Sequence, residues 1–203
     1  LRRGVPACHI QHGEAMAILA GDGLLNLSHQ IIATMPEQTL PAKTTLRLLN
    51  ELGKTIGVDG MIGGQAMEFS VDKHPMPTAD LEQLYYLKTG CLLGCGVTMS
   101  FIAAGKDQPE TLEMVNAFSY HLGLAFQIQD DLIELEGDSE LIGKPTDSHV
   151  INDRDTLVQR LGINEAKERL RFHHTQAHEA LKATGINAPI ADELIDFIVT
   201  RTY

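Results

Sequence analysis

The segment Gln127-Ile128-Gln129-Asp130-Asp131-Leu132-Ile133-Glu134 has the residue types and spacing best suited to chemistry. On a helix, Gln127, Asp130, Asp131 and Glu134 recur at i, i+3, i+4 and i+7 and so share one stripe. Three like charges on one face repel. A pair at 4 Å costs on the order of 4 kcal/mol at an effective dielectric of 20. A hard divalent cation relieves that cost, and a carboxylate-only donor set suits Mg²⁺ better than Zn²⁺. A solvated acidic face has the same spacing, but the apolar residues just before it, Ala125 and Phe126, weigh towards a metal site.

Cations that could meet a metal-bound anion are few. Lys88 lies in the apolar run Leu84-Tyr85-Tyr86-Leu87-Lys88-Thr89-Gly90-Cys91-Leu92-Leu93, where an ammonium must be paired or reach the surface. It reads either as a phosphate ligand with Thr89 as hydroxyl donor or as a snorkelling side chain. Lys144, in Gly143-Lys144-Pro145-Thr146, sits on a loop that could close over a diphosphate. Arg2 and Arg3 carry guanidinium forks that match phosphate oxygens, or form a solvated pair. His173, His174 and His178 include an i, i+4 pair, but the sequence sets no carboxylate or third ligand beside them, so a solvent face is expected.

The elements that must position these groups read as helices throughout. Apolar residues recur at helical spacing and no alternating strand stands out. Helices are expected from Glu14 to about Thr34, Ala42 to Ile56, Gly60 to Phe69, Ala79 to Ala104 and Pro109 to about Glu136. Two more are expected at roughly Asn164 to Thr184 and Ile190 to Thr202, after a loop from Ser139 to Asp155. Thr78 reads as an N-cap, and Gly63-Gly64 as a place of close helix packing. The 203 residues therefore read as a single all-α domain. The start at Leu1-Arg2-Arg3 suggests one that is N-terminally incomplete.

The net charge of −11 argues against a nucleic-acid partner. By the sequence no apolar run is expected to approach the ~20 residues of a bilayer span, and so no stable membrane anchor is expected. The three cysteines make a poor disulfide framework. Cys91 and Cys95 read as packed thiols, which fits a cytoplasmic setting.

In order, these pieces resemble one family over essentially the whole chain. Leu1-Arg2-Arg3-Gly4-Val5-Pro6-Ala7 is similar to the segment that follows the first aspartate-rich motif of trans-polyprenyl diphosphate synthases of the bacterial farnesyl diphosphate synthase type. Ala17-Ile18-Leu19-Ala20-Gly21-Asp22, Gly63-Gly64-Gln65-Ala66-Met67-Glu68, Lys88-Thr89-Gly90, the Gln127–Glu134 segment and Gly143-Lys144-Pro145-Thr146 follow in the family's order. The resemblance implies an isoprenoid-synthase-type helical bundle, here its C-terminal portion without the first aspartate-rich motif. It also implies a Mg²⁺-dependent prenyltransferase that joins isopentenyl diphosphate to dimethylallyl or geranyl diphosphate, giving a short-chain product such as farnesyl diphosphate. By the same resemblance, Asp130, Asp131 and Glu134 would hold Mg²⁺, and Arg2, Lys88 and Lys144 would contact the allylic diphosphate with Thr89 and Gln127 beside them. Arg3 would contact isopentenyl diphosphate. Lys88, Asp130 and Lys144 would then be the catalytic residues, and a homodimer is implied.

The chain departs from the family pattern at several places. Glu134 and Glu68 stand where Asp is usual, and Asp147-Ser148-His149 stands for Gly-Ser-Asp. Arg154 stands for a Lys before Thr156, with Asp155 between them. A non-catalytic partner subunit of an active synthase is the alternative these departures raise. A terpene cyclase of the same fold fits less well, because Arg3 suits a second diphosphate substrate.

Overall fold

The computed structural model describes residues 4–71, 76–136 and 156–201, all helices and connections among them. The elements in chain order are α1 (Cys8–His12), α2 (Glu14–Ala33), α3 (Ala42–Ile56), α4 (Met61–Val71) and α5 (Thr78–Tyr85). They continue with a π-helical turn (Tyr86–Gly90), α6 (Cys91–Ala103), α7 (Pro109–Glu136), α8 (Leu157–Leu161), α9 (Ile163–Ala183) and α10 (Pro189–Thr200). No strand occurs among the described residues, and the all-α expectation is borne out.

The 28-residue α7 is the axis of the core. Phe118, Leu122, Ala125, Ile128 and Leu132 recur along it at three- and four-residue steps and are buried. Leu81, Leu84 and Tyr85 of α5 close on one side of them, and Leu170, Ala177 and Leu181 of α9 on the other. Ile195 and Ile198 of α10 seal the end. Each large buried side chain contributes about 1.5–3 kcal/mol relative to exposure, so this seam dominates the stability of the described bundle. By contrast α2 buries none of its residues, and Met16, Ile18, Leu19 and Leu24 are exposed.

Several expectations need correcting. Pro77, not Thr78, is the N-cap of α5. Thr78 takes the first helical position without a side-chain cap bond. The short α8 was not expected, although Thr156 and Gln159 form a capping box in which each side chain bonds the other's backbone N–H. The helix expected from Ala79 to Ala104 is found, but the expectation that no apolar run approaches a bilayer span is corrected. Thr78–Ala103 forms one continuous 26-residue helical stretch, long and apolar enough by length and composition to cross a bilayer. In the fold it is a packing helix, with Leu81, Leu84, Gly90, Gly94, Cys95 and Phe101 buried.

Close backbone approach fixes where that helix meets its neighbours. A Cβ on Gly123 of α7 would lie 2.2 Å from the Gly90 Cα, and one on Gly94 would lie 1.9 Å from the Ser119 Oγ. A Cβ on Gly64 would lie 2.6 Å from the Lys88 backbone nitrogen, so the expected close packing at Gly63-Gly64 is realised at Gly64. The π-helical turn is therefore clamped between α4 and α7 by positions with no side chain. Extra-residue turns of this kind often occur at functional sites.

Candidate active site

The π-helical turn carries Lys88 and Thr89, and α7 carries Gln127, Asp130, Asp131 and Glu134. The contact of Gly90 with Gly123 brings the two elements together next to Thr89 and one helical turn before Gln127. Thr89 Oγ donates to Gln127 Oε1 at 3.3 Å, and Gln127 Nε2 donates to Asp131 Oδ1 at 3.2 Å. Gln127 thus links Thr89 to Asp131, while Lys88, the neighbour of Thr89 on the turn, bonds Glu68 of α4.

Asp131 is 6% exposed, so it is not on the open stripe that helical spacing alone suggests. The hydroxyl of Tyr85 donates to its Oδ2, and the same oxygen of Tyr85 accepts from the Leu157 backbone N–H at 3.1 Å. Burial pushes the Asp131 pKa up to about 6, with Asp130 and Glu134 adding to the rise and the bonds from Tyr85 and Gln127 opposing it. At neutral pH the group is still an anion, held in a field that disfavours its charge.

Asp130 points the other way along the helix end. Arg201, just past α10, donates to its Oδ1 at 2.5 Å and to the Phe126 carbonyl at 3.0 Å. The guanidinium also lies 4.1 Å from the centre of the Phe126 ring, an ordinary cation–π distance. Gln129 on the same helix donates to the Arg201 carbonyl at 2.8 Å, so Arg201 is held to α7 by both its side chain and its backbone.

Lys88 is half-buried and paired. Its Nζ lies 2.6 Å from Glu68 Oε2, which also accepts from Gln65 Nε2 at 2.7 Å. The snorkelling reading is thereby replaced by an ion pair in which Glu68, standing where the family pattern has Asp, reaches the lysine. An ammonium has three N–H donors, so the pair leaves it able to bind an anion as well.

Sequence reasoning missed Tyr85 and Arg201. A tyrosine inside an apolar helix was a usable signal, since a buried hydroxyl needs a partner. For Arg201 there was no local signal. Arg2, Arg3, Lys144, His149 and Arg154 lie outside the described residues. A cavity of about 60 Å³ lies elsewhere, among Glu51, Lys54, Cys91, Cys95, Thr98 and Ser119. It touches none of the candidate groups, and its two thiols are raised in pKa chiefly by burial.

Residues 1–188 match the family model of polyprenyl synthetases. The chain belongs to the polyprenyl synthetase family. It is 37% identical over 203 residues to farnesyl diphosphate synthase of Geobacillus stearothermophilus, covering all of this chain and 68% of that enzyme. A solved synthase from Zymomonas mobilis, described as an FPP/GFPP synthase, superposes with a TM-score of 0.82 at 31% identity, over 98% of this chain and 66% of that one. A geranyltransferase from Helicobacter pylori, solved with magnesium and isoprenyl diphosphate, gives 0.81 at 28% identity, over 98% and 64%. The chain thus spans about two thirds of the length of these relatives. The isoprenoid-synthase-type bundle is borne out, and the relatives carry the enzyme class that the family's motifs imply. They do not favour the reading as a non-catalytic partner subunit.

Proposed function

We propose that the chain is the C-terminal catalytic portion of a short-chain trans-prenyltransferase. It would condense isopentenyl diphosphate with dimethylallyl or geranyl diphosphate, most simply to farnesyl diphosphate. The observation that supports the reading is the hydrogen-bonded line Thr89, Gln127 and Asp131, which joins the turn that carries Lys88 to the acidic segment of α7.

The donor set fits Mg²⁺. Asp130, Asp131 and Glu134 offer only hard oxygen ligands, and a bound cation would offset the mutual repulsion that Asp130 and Glu134 add at Asp131. These three carboxylates would hold the ion, whose chemistry there would be neutralisation of diphosphate charge. Tyr85 and Gln127 hold Asp131 in one orientation, so its ligand oxygens need no reordering when substrate arrives. Lys88 would neutralise charge that develops on the departing allylic diphosphate, while Glu68 holds its ammonium in place. Thr89 and Gln127 would hydrogen-bond the same diphosphate. Arg2, Arg3 and Lys144 complete the proposed binding set, with Arg3 on isopentenyl diphosphate. Attack by the isopentenyl double bond on the allylic carbon and loss of a proton lengthen the chain by five carbons.

The proposal carries a cytoplasmic setting and a homodimer, the latter supported by the exposed apolar side chains of α2. The test is mass analysis of products from the full-length protein with both diphosphates and Mg²⁺. A C15 diphosphate is expected, with turnover in Asp130→Ala reduced by orders of magnitude. No product above background rejects the reading.

A further inference from the structure

The surface between α9 and α10 holds a second constellation, away from the carboxylates of α7. His174 and His178 lie one turn apart on α9, and Asp192 and Asp196 lie one turn apart on α10. The tight hairpin at Gly185, whose φ is +69°, brings the two pairs face to face. His174 Nε2 is 2.9 Å and His178 Nε2 is 3.0 Å from the same oxygen, Asp196 Oδ1. The other nitrogen of His178, Nδ1, is 3.0 Å from Asp192 Oδ1. The solvent-face expectation for His174 and His178 is therefore wrong in one respect: a carboxylate is arranged with them, supplied by the next helix.

The proton count makes this arrangement unusual. A neutral imidazole carries one N–H, yet both nitrogens of His178 face carboxylate oxygens at hydrogen-bond distance. An ion between Nε2 and Asp196, with Nδ1–H turned to Asp192, satisfies both contacts of a neutral ring. We propose that His174 Nε2, His178 Nε2 and Asp196 Oδ1 form a three-ligand site for a divalent transition ion of the zinc type, with Nδ1–H of His178 held by Asp192. An outer carboxylate of this kind fixes the tautomer that leaves Nε2 bare for the metal.

The geometry is close to what such an ion needs. Tetrahedral ligands at the usual Zn–N and Zn–O lengths lie about 3.3 Å apart. The two nitrogen–oxygen separations therefore need to open by only about 0.4 Å. One ligand atom from each of His174, His178 and Asp196 lies within 4.8 Å of the other two. His174 and His178 are about one-third exposed and Asp196 is open, so an ion can enter and a fourth position is left for water. Two imidazoles select zinc and its neighbours over Mg²⁺, which takes oxygen ligands. An ion here would tie α9 to α10, the helix that leads directly into Arg201 and so to Asp130.

Titration calorimetry of the intact protein with ZnCl₂, in saturating Mg²⁺ to fill the oxygen-only site, tests this. The unaltered protein is expected to show a Zn²⁺-binding event that disappears in Asp196→Asn and His178→Ala. In Asp192→Asn, which retains every ligand, it should weaken about tenfold to a hundredfold. Circular dichroism checks that each variant is folded. Zn²⁺ affinity unchanged in Asp196→Asn or Asp192→Asn, or no such event in the unaltered protein, overturns the proposal.

Discussion

Replacing Gly123 by alanine tests whether the site is held by backbone contact. The new Cβ would sit 2.2 Å from the Gly90 Cα and 2.9 Å from the Gly90 nitrogen, both main-chain atoms that cannot rotate away. Carbon atoms pack at about 3.5–4.0 Å, so α7 and the π-helical turn must separate locally by about 1.3 Å or more. The Thr89–Gln127 bond is already 3.3 Å long, and such a shift breaks it. Alanine favours a helix interior over glycine by about 1 kcal/mol, whereas overpacking a close contact typically costs about 1–3 kcal/mol. The clash should win, with a net loss of up to about 2 kcal/mol in urea unfolding. Displacing the diphosphate ligands by about 1 Å should lower kcat/KM for condensation about a hundredfold. Gly96→Ala on α6 is the control, because its Cβ meets nothing within 4 Å. It should be neutral or stabilise by about 0.5–1 kcal/mol. Equal unfolding midpoints for Gly123→Ala and Gly96→Ala, with unchanged turnover in both, would refute the reasoning.

Two further expectations follow from buried polar groups. His173 is 2% exposed, with its Nδ1 2.8 Å from that of His121, and its Nε2 has no partner among the described residues. Burial, with His121 and Arg169 adding to it, lowers its pKa to about 4. A histidine lowered in the folded state takes its proton more readily when unfolded. Stability is therefore undiminished above the unfolded value near 6.5 and is lost as pH falls from there towards about 4. Between about pH 7 and about pH 5 the loss from His173 alone should be about 2 kcal/mol, partly offset by Asp131, whose raised pKa acts in the opposite direction over the same window. It should shrink in His173→Leu, and urea unfolding with the same pH dependence in both proteins would contradict it. Tyr85→Phe leaves the buried Leu157 N–H without its acceptor and removes a donor to Asp131. It should cost about 1–3 kcal/mol of stability and shift the acid limb of the rate profile to higher pH. A profile and a melting temperature like those of the unaltered protein would show that Tyr85 has neither role.

Part of the candidate site was legible from local chemistry. Gln127 and Asp131 are four residues apart, so the helical repeat alone places their side chains together. The apolar rhythm of Pro109–Glu136 likewise marks α7, whose ends agree with the structure. The ordered motifs carried the family assignment, because each is a short run whose residues act close to where they lie in sequence.

What decides the electrostatics was not legible in that way. Tyr85 and Asp131 are 46 residues apart, Arg201 and Asp130 are 71 apart, and His121 and His173 are 52 apart. Local periodicity says which face of a helix is apolar, but not which helix will cover it or at what height. The sequence by itself determined an all-helical chain with an acidic stripe and a lysine turn. The tertiary structure decided that Asp131 is buried against a tyrosine, that Lys88 is paired to Glu68, and that two histidines thought to face water meet two aspartates. Those outcomes depend on helix packing, where glycine contacts at Gly64, Gly90 and Gly123 set the distances between elements.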